Sequence, residues 1–240
     1  MTLLNFDDGA RFAAHCSQLL SDLGITLTFG NDFEAYRAIL EKARPNQILG
    51  APFDPSLHDL NESNAFWTIG YSDKGDVIHT QAMRMIDTGQ KPLADYLRFN
   101  FRDFPPPGIE LDLQRSRFRA GPSVSKITGT TCYHGEFWIG GAPGEFRGTG
   151  LASILGRNAF WQAMNRFDPD YVFSFIEKTV ANKGFAVRQA YLHCQPQALR
   201  WYRPENDKPI EGYIGYMDRA EMRFVLEMPV PVEDVQIRAA

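Results

Sequence analysis

The chain has 240 residues, of which 44% are apolar, 22% charged and 13% aromatic. A globular chain of this size buries about 70% of its unfolded surface without disulfides or metal, so a disordered or fibrous protein is excluded. A net charge of -4 gives no support to a nucleic-acid-coating role, and no apolar run approaches the ~20 residues of a membrane-spanning helix.

The N-terminus has no basic segment followed by an apolar stretch and cleavage site, so a cytoplasmic protein without nucleic-acid or membrane partners is expected. Residues 7–22 read as a helix, started by Asp7 and Asp8 and striped by Phe12, Cys16, Leu19 and Leu20. A short β-rich run spans 25–29, and Asp32 then reads as the N-cap of a helix from Phe33 to Lys42. After a loop over 44–64, strands 66–71 and 77–85 flank a hairpin turn. Residues 88–130 read as an irregular insertion with one short helix, 93–99, ahead of the triple proline 105–107. A strand is predicted over 131–140, a glycine-rich turn over 140–150, a helix over 149–166, a strand over 171–176 and a helix over 181–191. Strands 192–203 and 213–228, joined by a polar stretch, close the order. The expected fold class is a single mixed α/β domain covering 1–240.

The turn carries the most information. Glycines between a strand and a helix bring backbone N–H groups close to an anion, and the unpaired amides and dipole of the helix start suit a phosphate. A Walker loop is excluded because no Gly-Lys-Ser or Gly-Lys-Thr occurs. A dinucleotide fingerprint on Gly148 and Gly150 has Ser153 where its third glycine belongs and starts too far from the strand.

The run Arg147-Gly148-Thr149-Gly150-Leu151-Ala152 matches the [QR]-x-x-G-x-[GA] signature, and with the element order it resembles the GNAT superfamily of acyl-CoA-dependent N-acyltransferases. The resemblance covers about 200 residues, with an extra N-terminal helix and the 88–130 insertion before the family's fourth strand. It implies transfer of an acetyl or other acyl group from acetyl-CoA or another acyl-CoA to the amine of a small molecule or amino acid, without a metal. The alternatives it leaves open are an acyl-homoserine-lactone-synthase-like transferase and a non-catalytic acyl-CoA sensor. It further implies that the amides of Arg147 to Ala152 cradle the coenzyme pyrophosphate, that Trp138, Ile139 and Gly140 pair with the pantetheine arm, and that Asn182 touches it. A Tyr general acid is common in the family seven residues after that Asn. Here Gln189 stands there and Tyr191 lies two residues on. A homodimer is also compatible with the family.

Acyl transfer to an amine needs a base for the amine and a proton for the leaving thiolate. Strand alternation predicts Cys132, His134, Glu136 and Trp138 on one face, which makes Glu136 the first candidate base and His134 the second, while the resemblance implies Tyr191 as the acid. Glu177, at a strand end, is a further candidate base. Cys132 and Cys194 lack any mark of an activated nucleophile, and the adjacent pairs His15-Cys16 and His193-Cys194 are poorly arranged to share a zinc ion. Arg115, Arg117 and Arg119 alternate, so that they either form a solvated edge or bind an acidic acceptor or the coenzyme's ribose phosphate. Tyr96, Phe99, Phe101 and Phe104 are the insertion's aromatic candidates for an acceptor pocket.

Overall fold

Neighbouring residues along the central strands are buried against different helices, because successive side chains leave a strand on opposite faces. A computed structural model describes residues 6–89 and 91–229; the side chains of Asp7 and Asp8 lie outside the described set. The strands are β1 (Ile25–Gly30), β2 (Ala65–Ser72), β3 (Val77–Ile86), β4 (Asp112–Phe118), β5 (Thr131–Ile139), β6 (Tyr171–Glu177), β7 (His193–Arg203) and β8 (Asn206–Asp218). They form one eight-stranded sheet in the order β1-β2-β3-β5-β6-β8-β7-β4, antiparallel throughout except for β5 against β6.

Phe66, Met83, Cys132 and Val172 face a core closed by Phe160 and Ala163 of α4 (Leu151–Phe167), with α1 (Phe6–Asp22) and α7 (Arg219–Glu227) beside it. Trp67, Ala82, Tyr133 and Phe173 face the other way, onto Tyr36 and Leu40 of α2 (Phe33–Ala43) and onto α3 (Leu93–Asn100). The cap of α2 is the predicted one: the Asp32 carboxylate accepts from the amides of Glu34 and Ala35, satisfying two of the helix's free donors.

Three stretches differ from the sequence expectation. The 88–130 insertion, expected to be irregular apart from one helix, also holds β4, which adds the last strand by pairing with β7, and its Leu93, Leu97, Val124 and Ile127 are buried in the core. Polar residues 204–212 extend a long hairpin, with a tight turn at Pro204–Glu205, and the expected strand over 219–227 is α7. A reciprocal capping box stops β8 there, Asp218 accepting from the Glu221 amide at 2.8 Å and Glu221 from the Asp218 amide at 2.9 Å. The helix expected over 181–191 is two short pieces, α5 (Lys178–Asn182) and α6 (Phe185–Arg188), broken at Gly184, whose φ is +77°.

Candidate active site

The site begins where the sheet opens. β5 and β6 keep register only from Thr131↔Tyr171 to Tyr133↔Phe173, and then part. A bulge in β5 accompanies the parting. From Ala82↔Gly135 to Thr80↔Trp138, β3 moves on by two residues and β5 by three. The extra residue is Glu136, at φ +56°, and the Thr80 hydroxyl donates to its carbonyl at 3.0 Å. Bulges bend and twist the strand that carries them. Beyond residue 133, β5 has no strand partner on its β6 side among the described residues.

The bulge also resets the faces, which corrects the expected alternation. Cys132 and His134 point toward α4, whereas Glu136 and Trp138 point toward α2 and the loop after it. His134 and Glu136 therefore do not share a face and do not bracket one amine.

His134 lies in a buried chain whose direction is fixed by its end. The Leu155 carbonyl can only accept, so the Gln81 side-chain N–H donates to it, at 3.1 Å. The Gln81 carbonyl oxygen then accepts from His134 Nε2 at 3.1 Å, and His134 Nδ1 accepts from the Tyr191 hydroxyl at 3.1 Å. Burial lowers the His134 pKa to about 3 and raises that of Tyr191 well above the usual phenol range. The structure thus brings two expected catalytic residues together, but commits them to each other behind β5, outside the lining of the opening.

Glu136 does line it. One of its carboxylate oxygens accepts from Arg44 Nη2 at 2.6 Å and the other from the Gly50 amide at 2.9 Å. The two charged side chains are only 5% and 3% exposed, and the Arg44 guanidinium lies 5.9 Å from the centre of the Trp138 ring. Glu177, on the facing strand, caps α5 through the amides of Thr179 and Val180 and the Thr179 hydroxyl. Burial pushes its pKa up, but those hydrogen bonds outweigh it and hold the carboxyl below its usual range.

The opening between the strands is a cleft of about 530 Å³, and a second cleft of about 770 Å³ adjoins it at Ile139 and Phe185. The second is walled by Gly140, Arg147, Gly148, Gly150, Leu151 and Ala152, as the motif predicts. Gly150 precedes α4 at φ +72°, a conformation that disfavours any side chain. Among the described residues the amides of Gly148, Gly150 and Ala152 have no acceptor, so three donors remain at the positive end of a 17-residue helix.

Several expected residues are placed otherwise. Thr149 turns inward, its amide and hydroxyl both directed to the Phe146 carbonyl at 3.4 and 2.9 Å, and the amides of Arg147 and Leu151, also expected at the pyrophosphate, donate to the Gly144 carbonyl and the Thr149 hydroxyl instead. Asn182 ends α5 because the chain breaks at Gly184, and it accepts from the Tyr213 hydroxyl at 3.1 Å, away from both clefts. Lys183 and Arg188 stand opposite the glycine turn instead. Sequence reasoning missed them because it read one continuous helix there; two cations following a glycine-rich anion loop were the available signal.

Arg115 and Arg117 lie on β4 and Arg119 just past it, four strands from β5 in the sheet and thus about 19 Å from the strand that leads to the glycine turn. Phe104 is buried among Tyr133, Phe173 and Phe175, Phe101 packs on Trp201, Tyr96 packs against the core and Phe99 is exposed, so the insertion reaches the opening through Pro105 and Pro107. Cys16 and Cys132 are buried, with burial raising both thiols, Cys16 to about 11. Among the described residues no group of His, Cys, Asp and Glu is arranged to hold a metal ion, and no helix is long and apolar enough to cross a membrane.

No family model and no curated protein sequence matches the chain. Among solved structures, the fold is similar to an N-acetyltransferase from Staphylococcus aureus Mu50, at 10% identity and a TM-score of 0.43 over 81% of this chain and 97% of that one. It is also similar to the spermidine/spermine N-acetyltransferase of Vibrio cholerae, at 8% identity and a TM-score of 0.43 over 86% and 98% of the two chains. AAC(6')-Ib, solved in complex with parmomycin and acetyl-CoA, aligns at 11% identity and a TM-score of 0.41 over 82% of this chain and 95% of that one.

Proposed function

We propose that the protein is an acyl-CoA-dependent N-acyltransferase, with acetyl-CoA as co-substrate. The observation that carries this reading is the continuity of the two clefts: an unpaired strand edge, β5 beyond Tyr133, leads to a glycine turn and a helix N-terminus with free amides. A pantetheine arm supplies amide groups that pair with a strand edge, and a pyrophosphate matches free N–H groups flanked by cations. Residues 134–139 would hold the arm. The amides of Gly148, Gly150 and Ala152, with Lys183 and Arg188, would hold the diphosphate. The donor set thus fits the coenzyme.

In the reaction the amine nitrogen bonds to the thioester carbon, the carbon–sulfur bond breaks, and sulfur leaves with the electron pair. The ammonium proton must leave before attack, and the second proton, which the nitrogen loses as the amide forms, passes through water to the departing sulfur. Glu136 is the carboxylate that faces the opening on β5, and one lone pair on each of its oxygens remains for a substrate or a water. We assign it the amine proton, through water, with Arg44 and Gly50 fixing its position. His134 and Tyr191 hold β5, β3 and α4 together behind the reacting atoms.

The phosphate turn is the part to test. Gly150→Glu puts a carboxylate where the diphosphate is to lie, and acetyl-CoA affinity by calorimetry should fall at least ~100-fold. The exposed pair Lys183→Glu and Arg188→Glu leaves the turn's backbone alone and should weaken binding at least ~10-fold. Unchanged affinity in both folded variants would overturn the reading. Full acetyl-CoA binding with no acetylation of any amine would instead favour a sensor.

A further inference from the structure

The acceptor end of the opening has a chemical character of its own. Of the six aromatic residues that line the cleft, Phe53, Tyr133, Trp138 and Phe175 stand apart from the coenzyme cleft that Phe185 shares, and the insertion adds Pro105 and Pro107. Among the described residues its charged lining consists of two carboxylates, Glu136 and Glu177, with no Lys, Arg or His. The nearest guanidinium, Arg44, sits behind Glu136, 3% exposed and bonded to it. An acceptor bearing a carboxylate or phosphate would enter beside the Glu177 carboxylate and a Glu136 already paired with Arg44, and among the described residues no cation lines the cleft to receive it. Like-charge contact of that kind is strongly unfavourable away from bulk water.

The charge count narrows the class again. Arg44 offsets Glu136, and Glu177 makes no ion pair among the described residues, its carboxylate being held below the usual range by its capping bonds. The opening therefore presents close to one net negative charge. That matches one ammonium group rather than the several of a polyamine. Aromatic faces attract both a cation and an apolar body, and about 530 Å³ is ample for a small ring on a short chain beside a thioester.

Resting on the function proposed above, we infer that the acceptor is a primary monoamine on an apolar or aromatic body, without a carboxylate or phosphate. This excludes free amino acids, which the sequence left open, and polyamines.

The test compares four acceptors at saturating acetyl-CoA: 2-phenylethylamine, phenylalanine (the same body with a carboxylate), spermidine and glutamate. Product is followed by mass spectrometry, and binding of each amine by calorimetry in the absence of turnover. 2-Phenylethylamine should exceed phenylalanine by at least ~100-fold in kcat/KM and in affinity, since the added carboxylate meets only anions. Phe175→Ala, on β6 and outside the stretch assigned to the coenzyme arm, should weaken 2-phenylethylamine binding about 10-fold and leave acetyl-CoA affinity nearly unchanged. Equal or tighter binding of phenylalanine, glutamate or spermidine would overturn the acceptor class, as would an unaffected Phe175→Ala variant. Loss of acetyl-CoA binding in the wild-type protein would count against the coenzyme assignment instead, and the amine calorimetry would still decide the acceptor.

Discussion

Glu136 carries three burdens at one position: it bears the bulge's left-handed φ, it neutralises a buried guanidinium, and it faces the opening. Glu136→Gln keeps the shape and removes the charge. Turnover should fall by about 100-fold, with acetyl-CoA affinity nearly unchanged. The deficit should narrow at high pH, where unprotonated amine becomes plentiful. Because the change strips Arg44 of its counter-charge, the variant will also be less stable, and the assay belongs well below its melting midpoint. Wild-type turnover would leave Glu136 as a clamp between α2 and β5. At this scale the sequence was legible up to the bulge. Alternation placed Cys132 and His134 together, and nothing in the residue types of 134–138 announces that one extra residue will send Glu136 to the other face. The orphaned helix donors at the glycine turn were legible, because glycine spacing writes backbone conformation directly into sequence.

Among the elements, α4 is the one on which the most depends. It presents the anion-binding amides at its start, and at Gly156 it meets the chain that leads out of α6. A Cβ there would lie 2.4 Å from the Gln189 carbonyl oxygen, a backbone atom with little room to yield. Alanine in place of glycine normally strengthens a helix by about 1 kcal/mol. Here Gly156→Ala should instead destabilise by about 1–3 kcal/mol in urea titrations, because the backbones must part. A stabilised variant would show that the contact relaxes. The bounds of α2, α4 and the hairpin strands β2 and β3 were readable from periodicity and caps. Three things were not. The break at Gly184 lies inside a run with helical residues on both sides. β4 follows three prolines and finds its partner, β7, some eighty residues downstream. The start of α7 is set by a capping box that a strand-rich neighbourhood disguises.

For the whole molecule, acid is the revealing stress. Burial lowers the pKa values of His79 and His134 to about 3, while an unfolded histidine titrates near 6.5. His79 Nδ1 bonds the Trp138 carbonyl at 2.7 Å, so both rings are held neutral with one nitrogen committed as donor. Between about pH 6.5 and about pH 3 the unfolded chain takes up protons that the folded one refuses. Their contribution to stability is therefore complete above 6.5 and is lost as pH falls through that window. Each histidine adds up to about 1.4 kcal/mol per pH unit to the slope. Unfolding free energies measured in urea from about pH 7 to about pH 5, above the main carboxylate range, should fall steeply. A flat profile would mean that one or both rings are protonated in the fold.

Four strands lie on either side of the line between β5 and β6, and only three register pairs stitch that line. Mechanically the sheet is two plates joined along a short seam at one end, with the stacked and tilted rings of Tyr133 and Phe173 beside it. Beyond the seam no hydrogen-bond ladder ties one plate to the other among the described residues; the side-chain cores on the two faces of the sheet span the line instead. Whatever lies between the plates acts as a shim that sets their angle, so the spacing between Trp138 on one plate and Glu177 on the other is tuned by whatever fills the gap near the seam.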